Sequence, residues 1–342
     1  MTQNDFKTKI KSAQIGGWYI LAGEEEYLKS YYRSEIRKIA APDDAFALFN
    51  HTVYDGEAMD IASLSEAIKS PPMMADYKLI EWRFADLDKM KSSELSALEK
   101  LFEEKSDYPY VVFVITALPD GFDTGTPKKP SKLYNRLSAG FDIVVFEKST
   151  DAQLLSWMKK HFDAENIAVD LPTLNSLLFR VGHSMQLLKN EITKLSAYAK
   201  ANGKPFITPS DVNDICSATI ECDAFAISNA IIEKNIEKAF LALADMKQQR
   251  IDAQVVLGQL AKTYSDLLSI SLLIDEGKDA KDIETIMKFH PYRLKLYIGA
   301  AKKLGSARIG AALESLIRID AASKSGGIGG YKSIEMFITQ NI

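Results

Sequence analysis

The run Val111-Val112-Phe113-Val114-Ile115 limits what this chain can fold into more than any other stretch. Consecutive apolar residues of high β propensity read as a strand with no solvent-facing side. A strand covered on both faces belongs in a parallel sheet between helical layers. The surrounding sequence supplies the rest of such a sheet. Trp18-Tyr19-Ile20-Leu21, Thr52-Val53-Tyr54, Lys78-Leu79-Ile80-Glu81-Trp82 and Ile143-Val144-Val145-Phe146 read as further strands. Helical patterns lie between them. One runs from Glu24-Glu25-Glu26 through Leu28 to Ile36 and Ile39, with acids in its first turn. A second, capped by Asp60, places Ile61, Leu64 and Ile68 on one face. A third, with Ser92 as cap, carries Leu95, Leu98 and Leu101, and a short one surrounds Leu133, Tyr134 and Leu137. Residues 121–131 read as a Gly/Pro/Thr/Lys loop, and Asp43-Asp44 after Pro42 as a solvated acidic pair. Strands alternating with helices predict a doubly wound α/β domain over residues 1–148.

Beyond residue 148 no strand pattern is visible. Thr150-Asp151-Ala152-Gln153 is a capping box before Leu154, Leu155, Trp157, Met158, His161 and Phe162. Leu174, Leu177, Leu178 and Val181 mark a second helix closed by Gly182, and Leu187 to Tyr198 a third. Thr208, with Pro209 at the first helical position, opens a fourth. These make a small helical lid over residues 149–221. Residues 222–342 also read as all helix, with starts near Ala224, Ile236, Asp252, Asp279, Pro291, Ser306 and Ser333. Gly326-Gly327-Ile328-Gly329-Gly330 breaks the last two.

The usual constellations of chemistry are missing. His51, His161, His183 and His290 are scattered, without metal-ligand spacing. Cys216 and Cys222 lack further ligands for zinc and read as reduced structural thiols. No G-x-S-x-G elbow occurs. A phosphate-binding P-loop needs G-x-x-x-x-G-K-[ST]. The turn Ala22-Gly23-Glu24-Glu25-Glu26-Tyr27-Leu28 offers one glycine, no Lys-Ser/Thr pair and three carboxylates where a triphosphate would sit. Like-charge repulsion disfavours nucleotide there. No catalytic, cofactor or metal site is therefore expected. The longest strongly apolar run, residues 110–118, is too short for a membrane span. The N-terminal residues lack a secretory pattern, and a cytoplasmic protein is expected.

Two features remain that suit contact with other macromolecules. Ser70-Pro71-Pro72-Met73-Met74-Ala75-Asp76 is a stiff corner between a helix and a strand, with two methionines at its tip. Those methionines either fill the core or form an exposed apolar wedge. The net charge of −4 argues against general nucleic-acid binding. Residues 288–332, however, hold nine Lys or Arg against Glu314 and Asp320, about +7, which leaves the remainder near −11. That segment is either a solvated face or a surface near phosphate.

In order along the chain, several stretches resemble the delta subunit of the bacterial DNA polymerase III clamp loader. They are Tyr19-Ile20-Leu21-Ala22-Gly23-Glu24-Glu25-Glu26-Tyr27-Leu28, Tyr54-Asp55-Gly56-Glu57 and the Ser70 to Asp76 corner. Val181-Gly182, Leu187-x-x-x-x-Glu191-x-x-Lys194-Leu195, Phe225-Ala226-Ile227-x-x-Ala230 and Asp320-x-x-x-Lys324-Ser325-Gly326 follow. The resemblance implies an AAA+-like (RecA-like) domain without a P-loop, a lid, and a C-terminal helical collar that assembles with the loader's ATPase subunits and delta-prime. It implies that Pro72, Met73, Met74 and Ala75 bind the beta sliding clamp as a wedge and open it for loading onto primed DNA. The family's wedge commonly carries an aromatic; this chain has Met-Met instead. Lys295, Lys302, Lys303 and Arg308 are the residues expected nearest DNA in the assembly. The competing readings are an active AAA+ ATPase or switch, and a DNA-processing enzyme with an unrecognised site.

Overall fold

The computed structural model describes residues 1–42, 44–325 and 329–342, with residues 44–46 described in their backbone only. Asp43 and the Gly326-Gly327-Ile328 portion of the glycine-rich break lie outside the described residues. The chain forms two compact units, Met1–Ser149 and Thr150–Ile342.

The first unit is built on a five-stranded parallel sheet of β1 (Gly17–Ala22), β2 (His51–Asp55), β3 (Lys78–Ala85), β4 (Val111–Ala117) and β5 (Asp142–Val145), in the order β2-β3-β4-β1-β5. Every residue of β4 is buried, as its composition requires. Alternate side chains of the central strands feed two cores. Trp18, Ile20, Phe113 and Ile115 face α4 (Ile61–Lys69) and α5 (Ser92–Glu104), which supply Leu64, Ile68, Leu95 and Leu98. Tyr19, Leu21, Val112 and Val114 face the opposite layer, with Ile36 from α2 (Glu26–Ala40). That layer also contains α1 (Gln3–Lys11), a helix the pattern did not reveal because only Phe6 and Ile10 are buried along it. A second unexpected helix, α3 (Asp44–Asn50), begins at one member of the acidic pair read as loop.

Local details correct two further expectations and bear out a third. Ser92 is the first residue of α5 rather than its cap; Lys91 precedes it, and its N–H donates to Glu94 at 2.8 Å. The loop of residues 121–131 contains a two-residue antiparallel pair, Gly125–Thr126 with Lys129–Pro130, before α6 (Lys132–Leu137). Asp60 does cap α4, accepting from Ala62 N–H at 3.1 Å.

The second unit is almost all helix: α7 (Asp151–Ala164), α8 (Leu171–Val181), α9 (Met185–Ala201), α10 (Pro209–Ile215) and α11 (Ile220–Ile232), then α12 (Ile236–Gln248) and α13 (Ala253–Asp275). It ends with α14 (Ala280–Met287), α15 (Pro291–Leu304), α16 (Ser306–Lys324) and α17 (Tyr331–Asn341). The Thr150 and Thr208 capping boxes form as expected, and Gly182 closes α8 at φ 79°. Two helices start earlier than anticipated: α11 at Ile220 behind Thr219, and α17 at Tyr331. Strand structure is not wholly absent. Ala168–Val169 pairs in parallel with Phe206–Ile207. Helices α11 to α17 share one core, in which Phe225 stacks on Tyr297 at 4.6 Å and Tyr264 meets Phe337 edge-on at 5.5 Å.

Candidate functional site

The corner after α4 is exposed. Met73 is 45% and Met74 83% accessible, Pro72 and Ala75 are half-buried, and the core reading of the two methionines fails. Two prolines restrict the approach, and Met74 itself adopts a left-handed conformation, φ 51°. A non-glycine residue there carries a cost of about 1–2 kcal/mol, so the surroundings must hold it. They do so from both sides. Lys78, buried at the start of β3, donates Nζ to Ser70 Oγ and, at 3.2 Å, to the Ser70 carbonyl. Burial keeps that ammonium below its ordinary range. On the other side, Asn50 at the end of α3 accepts from Met73 N–H at 2.6 Å and donates Nδ2 to the Met73 carbonyl at 2.8 Å. Asn50 is 2% exposed. Nothing in local sequence pointed to it, because the contact spans 23 residues. The neighbouring strand start is pinned in turn: His51 Nε2 meets Glu81 at 2.8 Å, and Glu81 also pairs with Arg33 at 3.3 Å.

The first strand–helix turn carries a correction. Lys29-Ser30 come after Tyr27-Leu28, beyond the last of the three glutamates, Glu26, and counted from Gly23 they fall where a P-loop places its lysine and hydroxyl, with Leu28 in the second glycine's position. The pair that residues 22–28 lacked is therefore present one step further on. Its lysine is already engaged. Lys29 is fully buried, donates Nζ to the Ala117 carbonyl at the end of β4 at 2.7 Å, and pairs with Glu26 at 2.5 Å. The Glu25 N–H bonds Phe146 O at 2.9 Å. Gly23, at φ 95°, sits so close to that carbonyl that a Cβ would stand 2.3 Å from it. Backbone that would cradle phosphate is instead packed on Phe146, just beyond the end of β5.

Among the remaining polar residues, structure unites some that sequence left scattered. In the second unit His183 Nε2 lies 2.7 Å from one Asp151 oxygen and His290 Nε2 lies 3.7 Å from the other. They border a cavity of about 290 Å³ that Asn175, Glu221 and Arg293 also line. His161 packs on Trp157, ring centres 4.2 Å apart, and burial lowers its pKa. Cys216 and Cys222 are free and buried, and burial pushes both thiols up to about 12, far from nucleophilic at neutral pH. No group of three or more His, Cys, Asp or Glu able to hold a metal occurs among the described residues. Lys295, Lys302 and Lys303 on α15 and Arg308 on α16 are all exposed, and none is in an ion pair among the described residues.

Several stretches that carried the resemblance prove to be braces. Asp55 accepts a two-pronged contact from Arg83, 2.6 Å on each arm. Glu191 holds Lys194 at 2.7 Å and accepts from Ser217 N–H at 3.3 Å, tying α9 to the segment before α11.

A parallel sheet in the order β2-β3-β4-β1-β5, flanked by helices and followed by a helical unit, makes this a doubly wound α/β protein with a helical second unit. Residues 19–123 match the family described as DNA polymerase III, delta subunit, and residues 221–341 match the DNA polymerase III delta subunit, C-terminal domain. The Bacillus subtilis DNA polymerase III subunit delta is 22% identical over 342 residues, spanning 98% of this chain and 96% of the relative. The probable DNA polymerase III subunit delta of Aquifex aeolicus is 23% identical over 336 residues, 94% of this chain and 89% of its own. The solved structure of the Bacillus subtilis DNA clamp loader delta protein superposes with a TM-score of 0.61 at 22% identity, covering 98% of both chains. The chain belongs to the DNA polymerase III delta-subunit family. Among the described residues no single helix is long and apolar enough to cross a membrane.

Proposed function

We propose that this delta subunit works in a clamp loader by seating Met73 and Met74, flanked by Pro72 and Ala75, in an apolar pocket of the beta sliding clamp and so opening one clamp interface. The observation that carries this reading is the corner itself: two adjacent methionines, 45% and 83% exposed, on a backbone fixed by prolines and internal hydrogen bonds. Exposed apolar groups on a rigid support are suited to anchor an interface. Residues 149–221 serve as lid and 222–342 as collar, the latter joining the ATPase subunits and delta-prime. Its exposed apolar residues, including Leu241 (65%) and Ile317 (59%), favour such assembly. Lys295, Lys302, Lys303 and Arg308 approach primed DNA in the loader. The subunit acts in the cytoplasm and has no catalytic role of its own, a reading supported by the internal engagement of Lys29.

The test is direct. The full chain is mixed with the sliding clamp of the same organism, and binding and release of clamp from circular DNA are measured. Binding that disappears in the Met73→Ala, Met74→Ala variant, with the fold intact, supports the assignment. A wild-type chain that leaves the clamp unbound refutes it. Micromolar, saturable ATP binding by calorimetry would instead favour an active ATPase.

A further inference from the structure

We infer that Asn50 is the positioning residue for the clamp contact: its side-chain amide fixes the backbone of Met73 and thereby holds Met73 and Met74 ready to dock. This rests on the clamp reading proposed above. A primary amide has one acceptor and two donors, and here it meets both polar groups of one peptide residue, at 2.6 and 2.8 Å. The two bonds close a ring between the end of α3 and the corner, as paired backbone groups do in a sheet. Such bonds are most effective out of water, and Asn50 is 2% exposed. They act one residue before Met74, whose left-handed backbone, φ 51°, needs external support. At the far end Lys78 tethers Ser70. With both tethers the apolar tip is ordered before it meets a partner; without Asn50, one end is free.

The consequence is kinetic. When only a fraction of molecules presents the docking geometry, apparent affinity falls by that fraction. The loss then appears in the association rate, because the bound corner is held by the clamp and leaves at its former rate. Asn50 touches no partner in this account.

The experiment uses the full chain and the cognate sliding clamp, with association and dissociation rates read separately. Two hydrogen bonds of ordinary net strength correspond to about tenfold in affinity. Asn50→Ala is expected to slow association by about that factor and to leave dissociation within twofold. Asn50→Asp keeps an acceptor for Met73 N–H but sets a second, acceptor-only oxygen against the Met73 carbonyl in a buried site, and should slow association at least as much as Asn50→Ala. In the Met73→Ala, Met74→Ala background, Asn50→Ala should have no further effect on residual clamp binding. Amide hydrogen exchange of Met73, measured without clamp, provides an independent reading: protected in the wild type, unprotected in Asn50→Ala. An Asn50→Ala protein that retains its melting temperature and binds the clamp at the wild-type rate overturns the proposal, as does an unprotected Met73 amide in the wild type. If Met73 is protected but the wild-type chain never binds the clamp, the partner assignment has failed and Asn50 has no role toward it.

Discussion

Lys29 Nζ donates to the Ala117 carbonyl at 2.7 Å with no solvent access, joining α2 to the end of β4. The position would hold phosphate in a nucleotide-binding relative of this fold, and here it serves as a strut. Substitution by Met preserves the apolar stem but leaves the carbonyl without its donor, a loss of about 1–3 kcal/mol. Lys29→Met is therefore expected to unfold at lower urea with an unchanged m-value. Calorimetry should show no ATP binding in either the wild type or Glu26→Ala, because Leu28 and the Phe146 contact still close the turn. Micromolar ATP affinity in Glu26→Ala would mean that the glutamate alone had blocked a working site.

Asp223 gives the second unit a pH dependence. It is buried, its Oδ2 has no hydrogen-bond partner among the described residues, and burial raises its pKa to about 6 against an opposing effect of Arg180. A folded-state value above the unfolded one favours folding in the protonated form. Its contribution is complete below the ordinary carboxylate pKa and is lost as pH rises through about 6. The displacement corresponds to about 2–3 kcal/mol. Asp223→Asn should stabilise the chain at pH 7.5, leave it little changed at pH 4, and flatten the slope between. Chemical denaturation at the two pH values measures this; equal stabilisation at both would show that charge is not the cause.

The parallel sheet was legible because β4 tolerates no other reading, and because each capping residue sits next to the helix it starts. Helix α1 was not, since Phe6 and Ile10 alone make too narrow a stripe to register as amphipathic. The apolar tip could be located but not assigned to surface or core, as methionine serves in both. Its support was not legible: Asn50 acts across 23 residues that only the tertiary structure brings together, and the reach of Lys78 back to Ser70 depends on how the corner between them folds. Lys29-Ser30 stands in plain view at P-loop spacing from Gly23, yet only burial reveals that the lysine is occupied.

The basic face offers a test that salt dependence can decide. Lys302 and Lys303 end α15, exposed, and the cationic excess of residues 288–332 continues on both sides. If both contact phosphate in the loader, removing them eliminates two released counterions, and the log–log salt slope falls by about 2. Lys302→Gln with Lys303→Gln should weaken loader–DNA binding at low salt and affect all sequences alike. The isolated subunit's stability should hardly change, because neither side chain is in an ion pair among the described residues. An unaltered slope would leave the face a solvated one.

The methionine tip gives the largest expected effect and the sharpest separation of roles. Burying one methionine side chain contributes roughly 1.5–3 kcal/mol, so loss of both costs on the order of 3–6 kcal/mol of clamp binding, a hundredfold or more. Because Met74 is 83% exposed in the free chain, Met73→Ala with Met74→Ala should leave the melting temperature nearly unchanged. Met74→Gly adds a second arm. Glycine accepts the φ of 51° without the strain that methionine bears, so the fold should be at least as stable. It removes the apolar anchor, and clamp affinity should still fall by about tenfold or more. A stable Met74→Gly protein that fails to bind thus separates anchoring from backbone geometry. If Met74→Gly binds as the wild type does, Met73 alone is the anchor and Met74 serves only to turn the chain.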